Sequence, residues 1–188
     1  SSPGDGVRIR PLEPGDAEAT HALRLEGLER HPDAFLSDAA EERAAGPLAT
    51  RRRLERNAAS DGESVLFGAF DGERLVGMTG LVRETPRKRR HRACIVAVYV
   101  GEDVRGRGIG GRLLDTALAH ARTLGGVEVV YLSTSSGNEP ALRAYASRGF
   151  RAWGTEPDAL RAAGRRFDEV HLQVRLDEVA ADAVAPDG

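Results

Sequence analysis

Apolar and polar residues alternate in short stretches along much of the chain, whereas a few longer stretches follow a helical period. The apolar residues at 109, 113, 114, 117, 118 and 121 form one stripe, which predicts an amphipathic helix over 109–124. Residues 93–100 are an uninterrupted apolar run, which is typical of a central strand buried on both faces. We predict strands over 7–10, 65–70, 74–83, 93–100, 127–132, 151–154 and 169–176, and helices over 16–29, 47–59, 109–124 and 139–148. We interpret residues 30–46 as a loop that has room for one helical turn.

This order of elements predicts a mixed α/β domain. Three consecutive strands form a meander, and a strand–helix–strand crossover follows them. The length of 188 residues fits one domain, which we place over residues 7–176. We expect residues 1–6 to be a disordered N-terminus and residues 177–188 to be a flexible tail.

Composition and charge restrict the classes of function. The 27 basic and 29 acidic residues give a net charge of −2, which argues against nucleic acid or an acidic membrane as the main partner. No apolar stretch reaches the length of a membrane helix, and the N-terminus lacks the regions of a signal peptide. The lone Cys94 forms no internal disulfide and favours a reducing compartment, so we expect a cytoplasmic protein.

The segment after the apolar run carries the strongest chemical signal. Four glycines occur within residues 106–111, between a predicted strand and the start of a predicted helix. Glycines let backbone N–H groups converge on one point, the helix N-terminus adds its dipole, and Arg105 and Arg107 add charged donors. We interpret the segment as a pyrophosphate cradle; the alternative is a glycine-rich turn that only joins strand to helix.

Two motifs in this region resemble those of the GNAT N-acetyltransferase superfamily. The first is an Arg-x-x-Gly-x-Gly sequence, and the second is an Asn-x-x-Ala-x-x-x-Tyr-x-x-x-Gly-Phe sequence about thirty residues later. They consist here of Arg105, Gly108 and Gly110, and of Asn138, Ala141, Tyr145, Gly149 and Phe150. Residues 84–88, 154–160 and 167–169 are similar to a pattern in a bacterial branch of the superfamily. The resemblance implies a mostly antiparallel sheet of six to seven strands, about four helices, and a fourth and a fifth strand that splay apart.

The resemblance also implies an acetyl-CoA-dependent N-acetyltransferase, in which a primary amine attacks the thioester directly in a ternary complex. Tyr145 would protonate the departing thiolate; as an alternative, it is an ordinary core aromatic residue. Asn138 would contact the cofactor as well as cap a helix. The implied cofactor-binding residues are Val98, Tyr99, Val100, Arg105, Gly106, Arg107, Gly108, Ile109, Gly110, Gly111, Asn138 and Tyr145.

The general base stays open at this point. Some members of the family use a glutamate of the fourth strand, and Cys94 stands at the matching position. The candidates are Glu84, His91, Tyr99, Glu156, Asp168 and Glu169, acting directly or through water. We expect no metal site, because His21, His31, His120 and His171 have no partner at metal-ligand spacing.

Two further classes of function compete with the transferase. One is a catalytically silent acyl-CoA-binding sensor, which the missing strand glutamate favours. The other is a nucleic-acid-associated module that uses the basic run at 83–92, which we interpret as a solvated turn instead. The acceptor, a small-molecule or protein amine, and the acyl-chain length are not determined by the motifs. A homodimer is left open, because members of the family often pair.

Overall fold

The computed structural model describes residues 6–33 and 35–179, and within them the chain forms one sheet flanked by helices. The strands are β1 (Val7–Pro11), β2 (Ser64–Asp71), β3 (Arg74–Arg83), β4 (Arg92–Val100), β5 (Val129–Ser135), β6 (Arg151–Ala162) and β7 (Arg165–Arg175). The helices are α1 (Ala17–Arg30), α2 (Ala39–Ala58), α3 (Ile109–Thr123) and α4 (Glu139–Ala146). The predicted class and the predicted numbers of strands and helices are confirmed.

The strands lie in the order β1-β2-β3-β4-β5-β7-β6. All neighbours are antiparallel except β4 and β5, which are parallel and are joined by the crossover through α3. Parallel strands end at the same edge of a sheet. The loop that follows β4 and the loop that follows β5 therefore meet at one edge.

The strands β4 and β5 separate before they reach that edge. They pair over three positions only, of which the last is Cys94 opposite Tyr131, while β5 continues to pair with β7 as far as Ser135. Beyond the separation, Ala97 has a left-handed φ of 54°, and the register with β3 shifts there. This bulge turns β4 away from its neighbour. The predicted splay of the fourth and fifth strands is thus confirmed.

The helices cover the two faces of the sheet unequally. Adjacent strand residues point to opposite faces. Leu66 packs with the residues of α1 and α2, whereas Phe67 packs with Ile109 and Leu113 of α3. The residues of α3 and α4 also pack on β5 and β7. On the other face, α1 and α2 make their main contacts with β2, β3 and β4, so the face of β5, β6 and β7 is more open.

The prediction that residues 93–100 are buried on both faces is wrong for the open face. Ala93 and Ile95 are buried under α3, whereas Val96, on the opposite side of β4, is 38% exposed. An apolar run indicates a central strand, but it does not reveal whether helices cover both of its faces. Trp153, on the edge strand β6, is 64% exposed.

The second helix begins earlier than predicted. The Asp38 carboxylate accepts hydrogen bonds from the N–H groups of Ala40 and Glu41, so α2 starts at Ala39, inside the segment predicted to be a loop. Gly46 then interrupts the helix with φ 66°. Pro47 follows at the point where we predicted the helix to begin.

The last hairpin is longer than predicted, because β6 extends to Ala162 and β7 begins at Arg165. The other boundaries differ from the predicted ones by up to three residues.

Residues 1–5 and 180–188, most of the two predicted terminal segments, lie outside the described residues. Of the rest of the predicted tail, Val179 packs against the core. No described helix has both the length and the apolar character that crossing a membrane requires.

Candidate active site

A cleft of about 510 Å³ occupies the gap between β4 and β5. Its walls come from the second half of β4, the start of α3, the end of β5 and one side of α4. Eight of the residues predicted to bind the cofactor line this cleft: Val98, Tyr99, Val100, Arg105, Gly110, Gly111, Asn138 and Tyr145.

The other four predicted residues lie around the start of α3 without lining the cleft. Gly106 and Gly108 both have left-handed φ angles, of 82° and 72°, and open space where a Cβ would lie. The Arg107 guanidinium forms an ion pair with Asp71 at 2.8 Å. The Ile109 side chain is buried in the core. A ligand can therefore contact Gly106, Gly108 and Ile109 through their backbone groups but not through their side chains.

The N-terminus of α3 fits an anionic group such as a pyrophosphate. Gly108 is its N-cap residue and has no side chain to satisfy the N–H groups of the first turn. The position of a Cβ at Gly110 approaches only Val100, at an ordinary contact distance of 3.6 Å. Unsatisfied N–H groups and the positive end of the helix dipole thus face open space.

Arg105 connects the glycine loop to the end of α1. Its Nε lies 3.3 Å from the carbonyl oxygen of Val100, and its guanidinium lies 2.9 Å from Nε2 of His31. Glu102 lies 3.2 Å from the same ring nitrogen, and a hydrogen bond from Arg30 lowers the pKa of the Glu102 carboxyl. The cleft and the segment after α1 therefore share a network of charges.

Gly111 permits the close packing of α3 against the end of α4. A Cβ at this position would collide with the guanidinium of Arg148. Arg148 donates two hydrogen bonds to Asp115, at 2.8 and 3.3 Å. A side chain at position 111 would therefore disturb the packing of α3 against Arg148, independently of any contact that the Gly111 backbone makes with a ligand.

Tyr145 lies on the inward side of α4 and is 5% exposed. Its ring meets Phe150 edge-on at 5.8 Å, and its hydroxyl forms no hydrogen bond with another described residue. Burial raises the pKa of the phenol to about 12. The hydroxyl is therefore protonated at neutral pH.

Asn138 caps α4, since its side-chain oxygen accepts a hydrogen bond from the N–H of Ala141 at 3.4 Å. The residue also lines the cleft. Asn138 therefore lies where it can both cap α4 and contact a ligand in the cleft, which are the two roles predicted for it from the sequence.

One candidate for the general base, Tyr99, lines the cleft. Its phenol donates a hydrogen bond of 2.9 Å to Glu26 of α1. Burial, and then this hydrogen bond, raises the pKa of Tyr99 above its ordinary value, so the phenol is a poor base at neutral pH.

The candidates Glu84 and His91 lie at the opposite end of β4 from the glycine loop and do not line the cleft. The carboxylate of Glu84 accepts hydrogen bonds from Arg89 and from Tyr131, and the two together lower its pKa. A carboxylate held in this way is a weak proton acceptor. The backbone carbonyl of His91 accepts hydrogen bonds from the N–H groups of Glu128 and Val129.

The remaining carboxylates lie on the β6–β7 hairpin. Glu156 and Glu169 are direct cross-strand partners, and His171 lies 3.3 Å from Glu156. The ligand atoms of these three residues lie within 4.8 Å of one another, an arrangement that spacing along the sequence did not reveal because strand pairing creates it. Asp168 lines a neighbouring cavity instead.

Cys94 lies on the open face, opposite Tyr131, and does not line the cleft. Burial raises the pKa of its thiol to about 11, so the sulfur is protonated at neutral pH and is a poor nucleophile.

Two residues of the cleft, His31 and Asp33, were missed by the sequence analysis. They flank Pro32 in a segment that has no hydrophobic period. The carboxylate of Asp33 forms no ion pair or hydrogen bond with a described residue. The one available signal was the presence of two ionisable side chains directly after a helix.

Comparison with known proteins places these features in a family. The sequence pattern of the Acetyltransferase (GNAT) family matches residues 26–150. The chain is 34% identical over 165 residues to mycothiol acetyltransferase of Brachybacterium faecium, across 86% of this chain and 45% of that protein. It is 33% identical over 81 residues to the L-methionine sulfoximine/L-methionine sulfone acetyltransferase of Pseudomonas aeruginosa, across 43% of this chain and 46% of that protein. The chain thus spans less than half the length of these curated relatives.

Solved structures share the fold. The structure of yncA from Salmonella typhimurium, determined with its cofactor acetyl-CoA, aligns with a TM-score of 0.80 and 22% identity over 97% of this chain and 98% of that one. A GNAT-family acetyltransferase from Streptococcus pneumoniae aligns with a TM-score of 0.79 and 21% identity over 90% and 98%. Given the family match over most of the sequence and a sheet that opens between β4 and β5, the chain belongs to the acetyltransferase (GNAT) family.

Proposed function

We propose that the protein is an acetyl-CoA-dependent N-acetyltransferase that acts on a primary amine. The observation that carries the proposal is the cleft itself, in which an uncapped helix N-terminus and a protonated, buried phenol line one cavity. Bound acetyl-CoA supplies the thioester whose acetyl group is transferred.

The glycine loop and α3 bind the pyrophosphate of the donor. The N–H groups at the start of α3 donate hydrogen bonds to it, and Arg105 adds a charged donor. The backbone of Val98 and Val100, in the part of β4 that has no neighbour on the β5 side, is available to pair with the extended arm of the donor.

Tyr145 holds the proton that the leaving sulfur needs. Its Oη is protonated at neutral pH and has no partner among the described residues, so it is free to donate. The desolvation that raises the pKa of the phenol also destabilises a thiolate in the same cleft. The proton therefore passes to the sulfur as the amine attacks the thioester carbonyl.

The acceptor amine enters past the segment after α1. His31 and Asp33 are the ionisable side chains that this segment contributes to the cleft. The Asp33 carboxylate attracts the ammonium group and accepts the proton that the amine gives up.

The test has two parts, binding and turnover. In a calorimetric titration, acetyl-CoA should bind at micromolar concentrations, and Gly108→Glu and Gly110→Glu should abolish binding because each places a carboxylate in the cradle. Gly125→Glu is the matched control, since Gly125 lies beyond the other end of α3 with open space around it.

Thiol release with an accepted amine tests Tyr145. Replacement by Phe should lower kcat by about 10²-fold or more while acetyl-CoA binding is retained. Tyr131→Phe removes a phenol outside the cleft whose pKa burial also raises, and it should leave kcat near the wild-type value. Binding without thiol release for any amine would support a silent acyl-CoA sensor instead, and absent binding would exclude both functions.

A further inference from the structure

A second cavity of about 470 Å³ adjoins the cleft near Asp33, where we propose that the acceptor amine enters. It lies between the β5–α4 loop, which contributes Ser135 and Ser136, and the start of β7. Asp33 and Gly137 line both cavities, so the two meet at these residues. A small molecule can therefore occupy the second cavity and still present one end to the cleft.

The charges of the second cavity are of both signs. Arg165 and Arg166 line it, and neither guanidinium forms an ion pair with a carboxylate of the described chain. The Arg165 guanidinium lies over the ring of Phe167 at 5.2 Å, which holds it in place. Asp33 carries the opposite charge at the junction with the cleft, while Asp168 accepts a hydrogen bond from the N–H of Asp158 at 2.8 Å.

From this arrangement we propose that the acceptor is a free amino acid. Its carboxylate binds Arg165 and Arg166, and its amine reaches the cleft beside Asp33. A guanidinium group at the β7 side of the cavity binds a carboxylate, and the unpaired carboxylate of Asp33 binds an ammonium group, so a zwitterion satisfies both ends of the cavity at once. The inference rests on the proposed transferase function.

The hairpin provides a matched control for the two arginines. Arg161 lies on the same hairpin and is also exposed, but it is paired with Asp158 and does not line the cavity. Arg161→Gln therefore removes the same charge from the same hairpin at a side chain that does not line the cavity.

The experiment measures thiol release from acetyl-CoA with a panel of amines. The panel contains the standard amino acids, β-alanine and 4-aminobutanoate, and the carboxamide and the decarboxylated amine that correspond to each. We expect wild-type protein to prefer an amino acid over its carboxamide by about tenfold or more in kcat/KM, mainly through KM.

The double variant Arg165→Gln/Arg166→Gln should lose this preference. It should raise KM for the amino acid about tenfold and leave KM for the carboxamide unchanged, while Arg161→Gln keeps the wild-type preference. An unchanged melting temperature and acetyl-CoA affinity would show that the double variant is folded.

The possible failures are distinguishable. If amines without a carboxylate are acetylated as well as the amino acids, or if the double variant keeps the preference, the inference is wrong and the transferase function stands. If acetyl-CoA binds and no amine of any kind releases thiol, both are wrong.

Discussion

At the scale of single residues, the shape of the cleft depends on positions that lack a side chain. Gly27 of α1 is an example, because a Cβ there would lie 3.0 Å from the rings of both Phe35 and Tyr99. Tyr99 belongs to the part of β4 that lines the cleft. The absent side chain thus lets α1 lie close to the wall of the site.

We expect Gly27→Ala to destabilise the protein. Alanine is favoured over glycine in a helix interior by about 1 kcal/mol, but overpacking two buried rings costs about 1–3 kcal/mol. The free energy of unfolding, measured by urea denaturation, should fall by about 1 kcal/mol. Gly15→Ala, in an exposed helical turn with open space around it, should not lower it. Equal stabilisation by both substitutions would contradict the packing argument.

The residues of the site differ in how far the sequence could predict them. Asn138 and Tyr145 lie seven positions apart on one short helix, so local geometry places them on the inward side of α4. His31 and Asp33 lie in an aperiodic segment, and their position depends on contacts with elements distant in the sequence. Side-chain roles within the glycine loop were not predictable either, since Arg107 pairs with Asp71 through tertiary structure.

At the scale of elements, the β6–β7 hairpin shows why the hydrophobic pattern predicted strands that are shorter than the observed ones. Residues 155–168 are rich in charge and do not alternate, yet β6 and β7 pair up to Ala162 and Arg165. Antiparallel pairing is made by the main chain and does not require buried side chains. The turn consists of Ala163 and Gly164, with φ angles of 51° and 71°. Two positive φ angles are typical of a type I′ turn, for which asparagine followed by glycine is the usual signal.

Ala163→Asn should therefore stabilise the hairpin. Asparagine tolerates a left-handed backbone better than alanine, and the gain should be about 0.5–1 kcal/mol. Amide hydrogen exchange in β6 and β7 should slow by about two- to fivefold. Ala162→Asn, in the last position of β6, should not slow it. Faster exchange in the Ala163 variant would rule out the type I′ interpretation.

At the scale of the whole molecule, folding shields every phenol of the chain. Burial raises the pKa of Tyr99, of Tyr131 and, to about 12, of Tyr145. Lys88 is the only lysine, and arginines keep their charge to higher pH. The alkaline titration of the chain is therefore dominated by these phenols and by Cys94.

Stability should fall above pH about 9, first because the unfolded thiol of Cys94 loses its proton while burial holds the folded thiol at a pKa of about 11. Below pH about 10 each phenol is neutral in both states and contributes no pH dependence. Between about 10 and 12 the unfolded phenols lose their protons while Tyr145 in the folded protein keeps its own, so unfolding is favoured by up to about 1.4 kcal/mol per pH unit for this residue.

Urea denaturation between pH 8 and 11.5 measures this effect, and Tyr145→Phe should flatten the decline. Absorbance of the folded protein at 295 nm gives a second readout. A phenolate signal with a midpoint near 10 for all three residues would contradict the shielding.

The separation of β4 from β5 has a mechanical consequence. Three paired positions join the two halves of the sheet, and beyond them no main-chain pairing fixes their spacing. The core that spans both halves includes Ala117 and Ala121 of α3, which are fully buried and do not line the cleft. The width of the gap between β4 and β5 therefore depends on how the helices pack. A change in side-chain volume on the buried side of α3 should change this width without altering any residue that lines the cleft.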